Sequence, residues 1–122
     1  MDPISNFLNQ LKTSTFSGKE ETVTRYSGLK LNILKVLKNH SYINDFQVDN
    51  GKNFITISLK KKVFSHLKTI SKPGQRIYAR SSEIPKPLSG FGLVIVSTPK
   101  GVIDGKAAKK LGVGGEIICE VW

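Results

Sequence analysis

The apolar positions along the chain change period several times, and each change predicts an element. Ile4, Phe7, Leu8 and Leu11 recur at helical spacing, with Asp2 suited to cap the helix and Pro3 to its first position. Residues 13–28 are rich in Ser, Thr, Gly and charge and read as a loop. Ser27 opens a second helix reaching Asn39, with Leu29, Ile33, Val36, Leu37 and His40 on one side and Lys30, Lys35 and Lys38 largely away from it. The pattern then turns to period two. Tyr42 to Val48 and Phe54 to Leu59 form a hairpin, with Asn50-Gly51 expected to supply the positive φ angles of its turn.

Lys60-Lys61-Lys62 marks a seam. Beyond it, Leu67 to Ile70 reads as extended and Pro73-Gly74 as a type II turn. Arg76 to Ala79 and Arg80 form a strand with Arg76, Tyr78 and Arg80 on one face and Ile77 and Ala79 on the other. Residues 83–90, with Pro85, Pro87 and Gly90, allow only a short turn of helix. Leu93 to Ser97 is a buried-type strand, a short helix runs from Asp104 to Leu111 and stops at Gly112, and Ile117 to Trp122 is the last strand. The expected class is α+β in two small domains. Residues 1–62 form an N-terminal α/β domain, with helices packed on a short sheet. Residues 63–122 form a C-terminal β-rich domain with short helices.

The 122 residues are 39% hydrophobic and 23% charged, the composition of a folded domain rather than a disordered tail. The longest apolar run, Leu93 to Val96, is far short of a membrane span, and no secretory leader is evident at the N-terminus. Cys119 stands alone, which excludes an internal disulfide framework and a Cys-based zinc finger. Together these point to the cytoplasm.

Charge adds the first functional information. Nineteen Lys and Arg oppose nine Asp and Glu, a net charge of +10. Residues 1–50 carry only +1 of it and residues 51–122 carry +9, and from Lys52 to Arg80 there are eight basic side chains and no acidic one. Such a field attracts polyanions, nucleic acid first. Arg76, Tyr78 and Arg80 on one strand face suit phosphate contact and base or ribose stacking. Ser97-Thr98-Pro99-Lys100-Gly101 at a strand end offers hydroxyls at close approach, although it also reads as an ordinary strand-to-helix connection. Gly112-Val113-Gly114-Gly115-Glu116 exposes backbone amides. Its Glu116 could accept from nucleobase amino groups or from amides of the neighbouring loop.

Enzyme signatures fail. Gly90-Phe91-Gly92 has Ile95 where a dinucleotide fingerprint needs its third glycine, and Gly105-Lys106 is followed by Ala107 where a phosphate-binding loop needs a hydroxyl. His40 and His66 lack partners at metal-ligand spacing, Cys119 lies in an apolar strand, and Glu116 and Glu120 sit about 13 Å apart along a strand. No nucleophile, base and orienting group converge, so neither catalysis nor a cofactor or metal is expected. A DNA-binding regulator would need the second helix in a major groove, but its lysines are spaced for a solvated face.

The stretch STPKGVIDGKAAKKLGVGGEIICEVW, with ISKPGQRIYARSSEIP, LKLNILKVLKNHSYINDF and the opening DPISNFL, resembles the family of bacterial small-subunit ribosomal protein number eight across essentially the whole chain. The resemblance implies a two-domain structural protein of the small ribosomal subunit. As a primary RNA binder, it would recognise a central-domain stem-loop of the small-subunit ribosomal RNA through its C-terminal half. It would help organise the platform during assembly, beside neighbouring ribosomal proteins. Repression of its own operon's messenger is a further expectation, and an obligate homo-oligomer is not. Residue by residue, the resemblance assigns RNA contact to Ser97, Thr98 and Pro99, Pro99 replacing the family's third hydroxyl. It assigns the same to Tyr78, to the turn Ser71, Lys72, Pro73 and Gly74, to Gly114, Gly115 and Glu116, and to Lys30. With Arg76, Arg80, Lys100 and Gly101 from the residue reading, these are the candidate RNA-binding residues. Asn9, Lys12 and Thr13 replace two arginines and an asparagine usual on the first helix, which weakens phosphate contact there.

Overall fold

In the computed structural model, residues 3–61, 65–86 and 92–122 are described. The fold is α+β, with three α-helices and two antiparallel sheets. The chain divides into two compact units, Asn6–Val63 and Phe64–Trp122, the second including Met1–Ser5. The boundary expected between residues 62 and 63 lies outside the described residues, as do the Asp2 cap and the expected turn residues Pro87 and Gly90.

The first unit runs from Asn6 within α1 (Pro3–Phe16) through β1 (Glu21–Arg25), α2 (Gly28–Asn39), β2 (Ile43–Val48) and β3 (Phe54–Leu59), with sheet order β1-β3-β2. Its buried residues include Phe7, Leu8 and Leu11 of α1, Ile33, Leu34 and Leu37 of α2, and Ile55, Ile57 and Leu59 of β3. Ser27 caps α2 by accepting from the Lys30 backbone N–H. Two expectations fail here. The supposed loop over residues 13–28 contains the end of α1 and the whole of β1. Lys30, expected on the solvated side of α2, is only 8% exposed.

The two failures have one cause. β1 turns threonines inward instead of aliphatic side chains, with Thr24 buried and Thr22 half-buried. Thr22 Oγ1 accepts from Gln10 Nε2 at 2.7 Å, and Thr24 Oγ1 accepts from Lys30 Nζ at 3.1 Å, while Val23 faces outward and is 50% exposed. Lys30 Nζ also donates to the Arg25 carbonyl at 3.3 Å and sits 5.6 Å from the centre of the Phe7 ring. Burial, and then the Arg25 charge, hold the Lys30 pKa below the ordinary lysine value.

The β2–β3 turn also differs from the expectation. The positive φ falls on Lys52 (56°), not on Asn50-Gly51, because the Asp49 carboxylate organises the loop. Its Oδ1 accepts from the Asn53 and Phe54 backbone N–H groups at 2.6 and 2.9 Å. Those bonds, chiefly the one from Phe54, hold its pKa below the ordinary aspartate value. A depressed carboxylate pKa stabilises the fold above the unfolded-state pKa, and the contribution is lost as pH falls through the folded one. Asp49→Asn is therefore expected to lose stability near neutral pH and to flatten the acid limb of the stability–pH curve, measured by urea unfolding between pH 2 and 7. An unchanged acid limb would remove Asp49 from that role.

The second unit contains β4 (Leu67–Thr69), β5 (Tyr78–Ala79), a 3-10 turn (Ser81–Glu83), β6 (Leu93–Thr98), β7 (Gly101–Asp104), α3 (Gly105–Leu111) and β8 (Gly115–Val121). The sheet order is β4-β8-β6-β7, and β5 also pairs with β8. Ile84, Val94, Val96, Ala108 and Ile117 form a core cluster, with Ile77 and Ala79 packed against it. β7 was not expected: residues 97–101 join two strands of a hairpin and do not lead directly to a helix. The turn at Pro73-Gly74 closes with reciprocal bonds between the Lys72 and Gln75 backbones, but Gly74 has no positive φ, so it is not type II. Asp104 caps α3 by accepting from the Ala107 N–H at 3.2 Å, and Gly112 ends it in the left-handed region (φ 69°). Cys119 is wholly buried, and burial, with the nearby Glu120 charge, pushes its thiol up to about 12. It is a core residue in its protonated form.

Candidate RNA-binding face

The register of β5, β8 and β6 aligns the candidate residues. Tyr78 lies opposite Glu116, and Glu116 lies opposite Ser97. Directly opposed residues share a sheet face, so Tyr78, Glu116 and Ser97 form a row across three strands. The next pair, Ile117 opposite Val96, belongs to the core cluster. The row therefore lies on the face turned away from that core. The alternation expected for residues 76–80 holds, although only Tyr78–Ala79 are paired as strand. Tyr78 is 70% exposed.

Close backbone approach makes this row possible, and two glycines permit it. A Cβ on Gly115 would come within 1.9 Å of the Ser97 carbonyl oxygen, and one on Gly114 within 2.3 Å of the Ala79 carbonyl oxygen. No side chain fits at either position. Gly112, Gly114 and Gly115 then line an open groove with Tyr78, Ala79, Arg80, Ser81 and Glu83.

The polar groups differ in how far they are committed. Ser71 is nearly buried. Its hydroxyl accepts from the Ile77 N–H at 2.9 Å and donates to the Ile77 carbonyl at 3.2 Å, so it fixes the chain entering β5. Thr98 Oγ1 donates to the Gly101 carbonyl at 2.8 Å and accepts from the Lys100 N–H at 3.1 Å, closing the Pro99-Lys100 turn. Gly101 takes φ 113° there. Ser97 makes no side-chain hydrogen bond among the described residues and is half-buried. Glu116 accepts from Arg76 Nη1 at 3.3 Å, a partner the sequence reading did not offer it. Arg80 approaches Glu83 at 3.9 Å with both side chains well exposed, an ion pair of little energetic weight. Lys72, Pro73 and Gly74 form an exposed turn tip. Lys30 belongs to the first unit, and its ammonium is bonded inside that unit. Among the described residues no group of His, Cys, Asp or Glu could hold a metal ion, and no helix is long and apolar enough to cross a membrane.

A family model described as ribosomal protein S8 matches residues 2–122. The chain belongs to the ribosomal protein S8 family. Relatives named small ribosomal subunit protein uS8 agree over nearly the whole length. The protein of Malacoplasma penetrans is 43% identical over 100% of this chain and 98% of its own. Those of Finegoldia magna and Thermus aquaticus are 41% and 40% identical, each over 99% of this chain and 98% of their own. Membership makes the chain a structural, non-enzymatic protein of the small ribosomal subunit, with ribosomal RNA and other ribosomal proteins as its partners.

Proposed function

We propose that this chain is a primary binder of a central-domain stem-loop of small-subunit ribosomal RNA, and that the face carrying Tyr78, Glu116 and Ser97 is the reading surface. The observation that carries this reading is the three-strand row itself. An exposed aromatic ring, a guanidinium held by a carboxylate and an unengaged hydroxyl stand side by side on a backbone stripped of side chains by Gly114 and Gly115. Irregular RNA presents unstacked bases and 2′-hydroxyls, which such a surface can stack on and bond. Arg76, Arg80, Lys72 and Lys100 supply the charge that holds the phosphates, and Thr98, Pro99 and Gly101 fix the shape of the loop beside Ser97. Arg76 can exchange Glu116 for a phosphate, which would free the carboxylate to accept from a base amino group. Lys30 stands outside this set, because its ammonium is committed to Thr24 and Arg25. A messenger segment of the same shape would occupy the same face, which is how operon autorepression would arise. One copy of the chain suffices for the whole row, so no obligate homo-oligomer is required.

The test is a titration against the stem-loop and against a fully base-paired control, at two salt concentrations. The stem-loop is expected to bind at least about a thousandfold tighter, the low end of specific-to-nonspecific ratios for DNA-binding proteins. Equal affinities that fade together with salt would leave only electrostatic attraction and would overturn the proposal.

A further inference from the structure

The acidic side chains of the C-terminal half are all engaged. Glu83 faces Arg80, Glu116 faces Arg76, Glu120 Oε1 lies 3.3 Å from His66 Nε2, and Asp104 caps α3. Lys86, Lys106, Lys109 and Lys110 are left with no ion pair among the described residues. They are gathered by the fold. Lys106, Lys109 and Lys110 are spaced i, i+3 and i+4 on α3, so they are neighbours on one helix surface. Lys86 follows Ile84, which is buried against Gly105 and Val94 beneath the same helix. Partial desolvation, and then the charge of the nearby Lys86, hold the Lys109 pKa below the ordinary lysine value.

Helix stability does not account for this grouping. Lys109 and Lys110 in the last turn suit the negative end of the helix dipole. Lys106 stands in the first turn, at the positive end, with no acidic residue in that turn. The dipole thus favours two of the four cations, while Lys106 gains nothing from it and the Lys86 charge acts against Lys109. A bound anion would relieve their repulsion.

α3 packs through Ala108 on the core that includes Val96 and Ile117. Tyr78, Glu116 and Ser97 lie on the other face of the same sheet. We infer that the lysine face of α3 is a second anion-binding surface, which takes the phosphate backbone of an RNA segment other than the one on the Tyr78 face. A protein partner fits less well. Lysine is depleted from the cores of protein interfaces, and α3 offers a single well-exposed apolar side chain, Leu111. In a particle built on ribosomal RNA, a lysine patch without an apolar centre matches backbone contact. The C-terminal unit would then clamp two RNA segments on opposite faces of one sheet.

Lysine acetylation footprinting of the full chain tests this site by site, in three states: free, bound to the isolated stem-loop, and bound to intact small-subunit ribosomal RNA. Lys86, Lys106, Lys109 and Lys110 are expected to react as in the free protein when only the stem-loop is bound, and to be protected several-fold by the intact RNA. The variant K86Q/K106Q/K109Q/K110Q is expected to keep its affinity for the stem-loop. Its salt dependence on the intact RNA should become shallower, by about 0.7–0.9 in slope for each phosphate that is no longer neutralised. Unprotected lysines in both complexes, or an unchanged slope, would overturn the inference. Protection by the stem-loop alone would also overturn it, by assigning the patch to the first surface. Failure of the stem-loop reading would show separately, as loss of discrimination against the base-paired control.

Discussion

Gly115→Ala is expected to destabilise the C-terminal unit by about 3 kcal/mol, the upper end of what overpacking a tight contact costs. The methyl group would meet the Ser97 carbonyl oxygen at 1.9 Å and the Ser97 carbonyl carbon at 2.8 Å. Both are backbone atoms of β6, which cannot rotate away as a side chain can. Relief requires β8 and β6 to separate where Glu116 pairs with Ser97, so RNA affinity should fall together with stability. Gly28→Ala is the control, since a Cβ there meets nothing within 4 Å. Urea unfolding of both variants decides the matter. If the Gly115 variant were as stable as its parent, the close approach of β8 to β6 would not be a feature of the folded protein.

Tyr78→Ala is expected to weaken binding to the stem-loop by about 1–3 kcal/mol, the usual worth of one aromatic stacking platform. Folding stability should stay within about 0.5 kcal/mol, because a side chain this exposed contributes little to the core. Tyr78→Phe should retain most of the affinity, since stacking needs the ring and not the hydroxyl. A titration of the three proteins at one salt concentration separates these outcomes. Equal affinity for the parent and the alanine variant would remove Tyr78 from the contact surface.

These two substitutions also mark how legible the protein is in its sequence. Tyr78 could be singled out directly, because period-two alternation depends only on local backbone geometry. The same holds for α2 with its Ser27 cap, for α3 with Asp104 and Gly112, and for the hairpin strands β2 and β3, whose burial follows a periodic pattern. β1 was invisible for the opposite reason. Its inward face is threonine, half-buried at Thr22 and buried at Thr24, satisfied by Gln10 and Lys30 from two different helices, and no local rule foresees a polar pair supplied from elsewhere. Lys30 was misplaced with it.

The turns show the same division. Asn50-Gly51 and Pro73-Gly74 mark the right places, yet the positive φ expected at each is absent, because the Asp49 carboxylate and the Lys72–Gln75 pairing set the local geometry instead. The glycines of the loop before β8 looked like amides open to an anion. The fold uses Gly114 and Gly115 to bring three strands together.

By itself, then, the sequence determined the α+β class, most helix and strand positions, the concentration of positive charge in the second half and the family. Each of these follows from periodicity, composition or direct likeness. Only the tertiary structure decided that Tyr78, Glu116 and Ser97 stand in one row, that Ser71 and Lys30 spend their polar groups on the fold, and that four lysines gather around α3 on the other side of the sheet. Those facts depend on pairing between residues far apart in the chain, 40 positions in the case of Arg76 and Glu116. Such pairing is set by strand register and by which polar groups find partners across the chain, and neither is written in the local pattern.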